Sequence, residues 1–464
     1  FKDVPYTTQV INNDRQVTTF GETNQLQILD SIILDCEKVK GQARNRFTRD
    51  ADSKGLITNA AIYAMLADMY LWRGSLHQGR GMLEDSVKVD TGYVVHTVKG
   101  DYQLAADYAD LSLASLAKQN QDRFSSSYNP EIIDTENYGL ENCDMIENDF
   151  TGAYQSTAPL LEAQQYIFTN KNSIESIFEL QYSTGEQENS AVNHLYGYST
   201  GSHLEVSQDA LAVCYGGWGN AKYDSRMWVG AQNLVTTGSS SSSTALSGYY
   251  CVKWQRPEVF WTGQQTSREI KNVEISTNKW CNWIIYRMTD VMLMKAEALA
   301  CIGGAANNTL AKNIVNAIHR RSYCNYNESK PVSPDLTSGS TNGNATNNSD
   351  IVVMVLNERQ IELLGEGKRW FDLVRYAERN SDSASEAADE REATEEKHVG
   401  NGQKGMIKMV DTFLRNAYSN YYTTLKNRFK NRYGLYSPIY YMDVKASDGK
   451  LHQNPVWNKS KYDQ

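Results

Sequence analysis

Glu358, Glu362 and Glu366 are the residues whose type and spacing could most readily do chemistry. A four-residue spacing places them in one column on a helix, where carboxylates could bind a metal ion or act as general acid and base. The same stretch also supplies cations, at Arg359, Lys368, Arg369 and Arg375, and it contains no histidine. Charge columns on helices most often form ion pairs. The sequence therefore predicts a structural ion-pair column and neither a catalytic nor a metal site.

The elements that must position this column form a predicted helix-turn-helix corner. Gly365 and Gly367 bracket Glu366, so one helix is expected to end there and a second to begin near Lys368. Arg369 and Trp370 follow the break and are predicted to be buried and structural. On that prediction, Arg369→Ala would lower stability by about 3–5 kcal/mol, the effect of breaking a buried ion pair.

The stretch NERQIELLGEGKRWFDLVRY, Asn357 to Tyr376, closely resembles the signature of the SusD/RagB family, surface nutrient-binding lipoproteins of Bacteroidetes. The family pattern E-R-x-x-E-L-x-x-E-G-x-R-W-x-D-L-x-R is matched at each fixed position. The matching charged and aromatic residues, which the resemblance implies are structural, are Glu358, Arg359, Glu362, Glu366, Arg369, Trp370 and Asp372. Further likenesses run from Val4 to Trp457, including Pro438 and the Gln453 to Pro455 segment.

The resemblance implies a mainly α fold in which tetratricopeptide-like helical hairpins form a scaffold around a loop-rich, irregular region containing short strands. The chain is expected to form a single body over residues 1–464 with four parts. The parts are helical hairpins at 54–182, a loop-rich ligand-binding region at 183–279, helical hairpins with the signature at 280–379, and an acidic insertion with the carboxy-terminal segment at 380–464.

Helical spacing predicts individual elements within these parts. From Thr58 a helix is expected to run until Gly74 breaks it, and a second helix then carries Leu76, Gly79, Leu83 and Val87. Residues 173–182 alternate as a short half-buried strand. Residues 282–304 are predicted to be helical and to pair with a helix that carries Leu310, Ile314, Ala317 and Ile318.

Composition excludes several classes of function. The formal charge of −9 argues against nucleic-acid binding, and no stretch is apolar enough to span a membrane. The seven cysteines form no C-x-x-C pair and the seven histidines no close metal spacing, so neither a metal nor a cofactor is predicted. The chain starts at Phe1 without a lipid-accepting cysteine, so the amino-terminal segment and lipid that the resemblance implies are expected to be missing from it.

The predicted ligand site lies in the irregular region, where aromatic residues stand among glycines. Its proposed stacking residues are Tyr250, Trp254, Phe260, Trp261, Trp218, Tyr196 and Tyr198, and Lys253 is one of the hydrogen-bond donors beside them. For any single ring the alternative is a place in the core. If these rings are exposed, the double variant Trp254→Ala with Trp261→Ala should stay folded and lose binding.

The resemblance implies a cell-surface protein that is lipid-anchored to the outer membrane and binds an oligosaccharide or polysaccharide. It would deliver this nutrient to a SusC-like TonB-dependent transporter without catalysis. Two alternatives remain open: a peptide-binding member of the same import system, and an all-helical glycoside hydrolase. The hydrolase would need two carboxylates about 5–10 Å apart in a cleft.

Overall fold

The computed structural model of the protein describes most of the helical scaffold and part of the segments between its elements. The described residues are 3–13, 15, 21–47, 53–81, 84–89, 92–124, 167–168, 171–183, 185, 187–196, 204–207, 210, 226, 230, 235–236, 244–245, 250–251, 253–255, 257–262, 269–275, 281–322, 351–380, 413–415, 418–429, 432–447 and 449–457. Helices are the main regular structure in these ranges.

The helices include long elements and short carboxy-terminal ones. In chain order they are α1 Gln25–Val39, α2 Asn59–Gly79, α3 Val98–Phe124, α4 Ser190–Tyr196, α5 Met288–Ile302, α6 Ala305–Ser322, α7 Ile351–Glu362, α8 Arg369–Arg379, α9 Tyr422–Arg428 and α10 Tyr441–Ala446. Short 3-10 turns occur at Lys253–Gln255, Ser419–Tyr421, Arg432–Leu435 and Pro455–Trp457.

The described strands form two-stranded antiparallel sheets. In chain order they are β1 Asp3–Pro5, β2 Glu22–Asn24, β3 Glu84–Val89, β4 Gly92–Thr97, β5 Ser176–Leu180, β6 Val235–Thr236, β7 Thr244–Ala245, β8 Pro257–Thr262, β9 Glu269–Ile275 and β10 Trp283–Arg287. Five of these sheets are described: β1 with β2, β3 with β4, β5 with β10, β6 with β7 and β8 with β9. The strand predicted within residues 173–182 is therefore confirmed as β5.

The chain divides into two compact units. The first comprises Phe1–Val39, Asp68–Leu104 and Trp370–Gln464, and the second comprises Lys40–Ala67 and Ala105–Arg369. In the second unit, α5 packs against α6 and α7, and the α5–α6 hairpin follows the prediction. The prediction of a single body with four parts remains a prediction.

The first unit is held by buried polar contacts as well as by apolar ones. Arg73 donates hydrogen bonds to Asp30 at 2.7 Å and to Asp101 at 2.8 Å, and both Arg73 and Asp101 are buried. At the carboxy-terminal end, Gln453 pairs with the backbone of Ile439, accepting from its N–H at 2.9 Å and donating to its carbonyl at 2.6 Å. The Gln-Asn-Pro segment therefore fixes the preceding chain in place.

Helix α2 runs through Gly74 without a break, which corrects the prediction of two helices separated there. A Cβ atom at position 74 would lie 2.9 Å from the Tyr102 ring, so this glycine permits close packing of the ring and does not end the helix. Among the described residues no second helix follows, because α2 ends at Gly79 and Glu84–Val89 pairs with Gly92–Thr97 as the β3–β4 sheet. The valine-rich sequence of these strands favours that outcome.

Residues 282–304 also differ from the prediction of one continuous helix. The β-branched and aromatic residues Trp283–Arg287 form β10, which pairs with β5, and the helix starts only at Met288. The strand ends with Arg287 buried at 1% exposure. The junction between β10 and α5 therefore places the guanidinium group of Arg287 in the protein interior.

The helix-turn-helix corner is confirmed. Helix α7 ends at Glu362 and α8 begins at Arg369, and Gly365 and Gly367 adopt positive φ angles of 80° and 76°. A side chain at Gly365 would also lie 2.5 Å from the Cys251 sulfur. Both its backbone conformation and its surroundings therefore require glycine at position 365.

Candidate functional site

The three glutamates of the signature are buried, with exposures of 0% for Glu358, 1% for Glu362 and 5% for Glu366. Buried carboxylates require compensating charges and hydrogen bonds, since desolvation of an ion costs several kcal/mol. The cations that compensate them come from distant parts of the chain. This corrects the expectation that the basic residues of the stretch itself would pair with the column.

Glu358 and Glu362 share the guanidinium group of Arg226, which lies 132 residues before Glu358. The Arg226 Nη1 atom is 2.5 Å from Glu358 Oε1 and 3.2 Å from Glu362 Oε2. The imidazole of His319 lies 3.6 Å from the other Glu358 oxygen. Burial raises the pKa of Glu358, but the charge of Arg226 and the contact with His319 outweigh it, so the pKa is lowered. Glu358 is thus held as a carboxylate.

Glu362 lies at the centre of the ion-pair network. Arg287 donates to its Oε1 at 2.7 Å and Arg321 donates to the same atom at 2.6 Å. Burial opposes ionisation, but Arg321, Arg287 and Arg226 together hold the pKa of Glu362 well below its usual range. Arg321 and Arg287 also approach a second buried carboxylate, that of Glu175. Glu175 is a member of the network that no signature motif identifies.

Glu366 pairs with Lys253 and with Arg287. The Lys253 ammonium is 2.9 Å from Glu366 Oε1, and Arg287 donates through Nε at 2.7 Å and Nη2 at 2.8 Å. Burial raises the pKa of Glu366, yet the two cations lower it below its ordinary value. Lys253 is only 1% exposed. Its predicted role as an open hydrogen-bond donor to ligand is therefore corrected to that of a buried counter-ion.

The remaining charged residues of the signature pair away from the glutamate column. Asp290 accepts from Arg359 at 2.9 Å and from Lys368 at 3.0 Å. Burial raises the pKa of Asp290, but these two cations lower it to about 2. Asp372 pairs with Arg375 at 2.8 Å, and both are buried. These contacts support the structural role of the motif, which remains a prediction.

Arg369 and Trp370 are half-buried, which corrects the prediction that both are buried. They begin α8, where one face of the first helical turn remains open to solvent. Arg369 donates to the Leu356 carbonyl oxygen at 3.0 Å, and Trp370 packs on Phe413 and Phe429 with ring centroids 5.7 Å away in each case.

Arg369→Ala should consequently have a smaller effect on stability than a broken buried ion pair. Removal of this half-buried guanidinium group, which donates to the Leu356 carbonyl oxygen, should lower the free energy of unfolding by about 1.5 kcal/mol, within the range for hydrogen bonds from charged donors. Urea unfolding monitored by circular dichroism would measure this change. A loss of 3 kcal/mol or more would instead support the buried role predicted from the sequence.

Two of the predicted ligand aromatics lie in the core. Trp254 is 0% exposed and stacks on Trp283 with ring centroids 4.7 Å apart, and Tyr196 is 5% exposed. Both donate to the Gly365 carbonyl oxygen, Tyr196 from its hydroxyl at 2.6 Å and Trp254 from its indole N–H at 3.2 Å. A buried ring presents no surface to a sugar. These two residues are therefore corrected from stacking rings to supports of the signature turn.

The other predicted ligand residues are distributed differently. Tyr250 is half-buried. Phe260 and Trp261 lie on β8, where the pairing with β9 shifts register between them. Tyr198 and Trp218 lie outside the described residues. The assignment of Tyr250, Phe260 and Trp261 to a ligand site remains a prediction.

No group of three or more histidine, cysteine, aspartate or glutamate residues in the described part of the chain is arranged to hold a metal ion. Within the same ranges, no helix combines the length and the apolar character needed to cross a membrane. The buried glutamates are ionised and paired, whereas a general acid needs a carboxyl group with a raised pKa. Their geometry therefore fits ion pairing within the protein interior and does not fit proton transfer to a substrate.

The residues that sequence reasoning missed are the distant partners of the column. Nothing in the local sequence around Arg226 and Arg287 indicates that both contact Glu362. Arg321 and Glu175 have still weaker local signals. A column of buried carboxylates does predict that its cationic partners come from other parts of the chain. Arginines within apolar segments, or at the ends of them, are the candidates for these partners.

Comparisons with known proteins agree with the fold. A model of the SusD family matches residues 117–457. SusD-like protein P2 of Formosa agariphila is 22% identical over 386 residues, covering 81% of this chain and 61% of that protein. SusD-like protein P38 of the same organism is 36% identical over 94 residues, covering 20% of this chain and 17% of that protein. The chain thus spans less than two thirds of either relative.

A solved structure, a SusD homolog from Bacteroides thetaiotaomicron, has the same fold. It aligns with a TM-score of 0.51 at 16% identity, over 98% of this chain and 72% of that chain. This likeness concerns the fold alone. It confirms the mainly α architecture with few short strands that the sequence predicts.

Proposed function

Because the chain belongs to the SusD family, a family of glycan-binding proteins, we propose that it binds an oligosaccharide or polysaccharide nutrient at the cell surface. It then passes the glycan to a SusC-like TonB-dependent transporter. An amino-terminal lipid holds the whole protein at the outer membrane. The protein carries out no chemistry on its ligand, so its task is capture and delivery.

The observation that carries this proposal is the attachment of the irregular region to the signature corner. Arg226, Lys253 and Trp254 all belong to the segment at 183–279, and all three are buried against α7 or the turn after it. A binding region gains affinity when its backbone is fixed before the ligand arrives. The signature thus holds three described residues of this segment in fixed positions.

The electrostatics of the signature support binding without hydrolysis. A glycosidase requires one carboxylic acid that is protonated near neutral pH and a second carboxylate facing it across the substrate. The pKa values of Glu358, Glu362 and Glu366 are lowered, and arginine or lysine groups occupy the space around their oxygens. These carboxylates are poor proton donors and have no room for a sugar.

The aromatic residues of β8 should contribute to glycan binding. The double variant Phe260→Ala with Trp261→Ala should weaken binding by one to two orders of magnitude, because each stacked ring contributes on the order of 0.5–1.5 kcal/mol. Affinity gel electrophoresis against a panel of polysaccharides would identify the ligand. Isothermal titration calorimetry would then give the dissociation constants of the wild type and the variant.

Phe371→Ala is a matched control, since this ring is 57% exposed and lies on α8 outside the irregular region. It should keep wild-type affinity. Circular dichroism must show that the double variant remains folded; if so, wild-type affinity in that variant would place the site elsewhere. Binding of peptide pools instead of glycans would favour the peptide-import alternative. Sustained release of reducing ends, abolished by Glu362→Gln, would restore the hydrolase alternative.

A further inference from the structure

Three consecutive large side chains are exposed in the carboxy-terminal segment of the first unit. Tyr440 is 60% exposed, Tyr441 is 65% exposed and Met442 is 46% exposed. Single exposed apolar residues are common on protein surfaces, whereas a contiguous group marks a candidate binding site. None of the six residues of α10, all of which the structure describes, is buried. The fold therefore does not use these side chains for packing in its core.

The two tyrosine rings meet at an angle. The ring centroids of Tyr440 and Tyr441 are 5.0 Å apart, and the ring planes are inclined by 64°. An edge-to-face contact of this kind is a favoured arrangement of two aromatic rings, so it holds each ring in a defined orientation. The pair therefore forms an aromatic corner in which both side chains remain more than half exposed.

Helix capping does not explain the tyrosine that precedes α10. Tyr440 occupies the N-cap position, with φ −58° and ψ 127°, and its side chain makes no capping hydrogen bond. Serine, threonine, aspartate and asparagine are favoured there because their short side chains accept from the first N–H groups of the helix. Locally unfavourable residues are expected at functional sites. Tyr440 is therefore a candidate for a role in binding.

The backbone of the aromatic corner is fixed on both sides. Before Tyr440, the Gln453 side chain accepts from the Ile439 N–H at 2.9 Å and donates to the Ile439 carbonyl oxygen at 2.6 Å. After it, the Tyr440 carbonyl oxygen accepts from the N–H groups of Asp443 at 3.0 Å and Val444 at 3.3 Å. A surface whose backbone is already ordered loses less conformational entropy when a ligand binds.

The charges around the aromatic corner indicate a neutral ligand. Residues 437–446 contain one acidic and one basic residue, Asp443 and Lys445, and both are exposed on α10. Opposite charges this close together leave no net charge to attract an anion or a cation. Each tyrosine hydroxyl group can donate and accept a hydrogen bond. Apolar ring faces with neutral polar edges are complementary to an uncharged sugar.

We propose that Tyr440 and Tyr441, the tyrosine corner, bind a neutral β-glucan, at a contact separate along the chain from the irregular region. A β-linked glucopyranose carries its substituents equatorially, so both faces of the sugar ring present C–H groups. One such face stacks on a tyrosine ring, and the hydroxyl groups at the sugar's edge bond to the phenolic hydroxyl groups. This inference rests on the proposed function only in taking the ligand to be a glycan.

Two other occupants fit the tyrosine corner less well. A stable protein interface involves about 20–30 residues on each partner, whereas the exposed group here has three large side chains. A helix that lies on a membrane surface combines a broad apolar face with a polar face rich in lysine and arginine. Helix α10 has six residues and one lysine. A pyranose ring is close in size to one tyrosine ring, so two rings match a single sugar unit.

The test is affinity gel electrophoresis of the full chain in barley β-glucan, comparing the wild type with Tyr440→Ala with Tyr441→Ala. The variant should bind about tenfold more weakly, because it loses both stacking rings. Tyr440→Phe with Tyr441→Phe keeps the rings and removes only the hydroxyl groups, so it should retain most of the affinity. A loss in the phenylalanine variant as large as that in the alanine variant would overturn the stacking role.

Tyr421→Ala is the matched control, because this tyrosine is 69% exposed and lies on a 3-10 turn outside the tyrosine corner. It should keep wild-type affinity, and an equal loss in the control would overturn the proposal. Circular dichroism should show that the double alanine variant is folded; wild-type affinity in the folded variant would also overturn the proposal. If that variant does not fold, Tyr440→Ala and Tyr441→Ala replace it, each with an expected loss of about threefold.

Separate outcomes distinguish this proposal from the proposed function. Retardation of the wild type by polygalacturonate but not by β-glucan would end the proposal and leave glycan capture intact. If the tyrosine variant loses β-glucan binding while Phe260→Ala with Trp261→Ala keeps it, the tyrosine corner stands and the site in the irregular region fails. The opposite result would place β-glucan binding in the irregular region and overturn the proposal.

Discussion

Arg287→Ala should lower the free energy of unfolding by about 3–5 kcal/mol, the range for removing one partner of a buried ion pair. Arg287 contacts Glu362 and Glu366 at 2.7 Å, and its guanidinium group also donates to the hydroxyl of Thr289. Burial alone would lower the pKa of Arg287, but the neighbouring carboxylates raise it, so the charge is retained. Alanine would leave two buried carboxylates short of a counter-ion and would also leave a cavity.

Urea unfolding of wild type and variant, monitored by circular dichroism, would measure this loss. Arg46→Ala is the matched control, because Arg46 is exposed and surface substitutions usually change stability by less than about 0.5 kcal/mol. If the variant fails to fold, Arg287→Lys keeps the charge and should be intermediate, since lysine cannot make paired contacts with two carboxylates. Wild-type stability in Arg287→Ala would mean that the network contributes little to the fold.

The sequence predicts the signature corner well because its information is local. Gly365 and Gly367 mark a break that a helix cannot continue through, and the four-residue spacing of the glutamates defines a column. The partners of that column could not be predicted in the same way. Arg226 and Glu358 are 132 residues apart, and no periodicity in the sequence indicates which distant cation pairs with a buried carboxylate.

For two aromatic residues of the irregular region, Tyr196 and Trp254, the local sequence leads to the wrong prediction. Trp254 stands among glycine-rich, irregular sequence, which predicts an exposed ring. The structure places it against Trp283 and the Gly365 carbonyl because a large ring with one donor fits a turn whose carbonyl needs a partner. Burial of such a ring depends on a tertiary neighbour 111 residues away, which periodicity does not encode.

The same contacts explain why one short motif can influence so much of the second unit. Glu358, Glu362 and Glu366 receive cations from the irregular region, from the end of β10 and from α6. Each carboxylate alone would be costly to bury, and each cation alone would be too. With Glu175 as a fourth carboxylate, the column balances the four cations Arg226, Lys253, Arg287 and Arg321 in charge, so correct assembly of these segments is coupled to the ionisation of the column.

This coupling leads to a strong expected effect of acid. The pKa values of Glu358, Glu362, Glu366 and Asp290 are all lowered in the folded protein, since their cationic partners outweigh burial. For a group with a lowered folded pKa, stability is present above the unfolded pKa and lost as pH falls toward the folded pKa. Unfolded glutamate and aspartate titrate near 4.3 and 3.9.

Stability should therefore be insensitive to these groups above about pH 5.5 and fall steeply below about pH 4.5. Each group contributes at most about 1.4 kcal/mol per pH unit, so about 5 kcal/mol per pH unit is the upper limit for the four together. Urea unfolding at half-unit intervals from pH 7 to 3.5 would measure the slope, and Glu366→Gln should make it shallower by about one quarter. A free energy of unfolding that stays constant from pH 6 to pH 4 would contradict the ionised, paired state of the column.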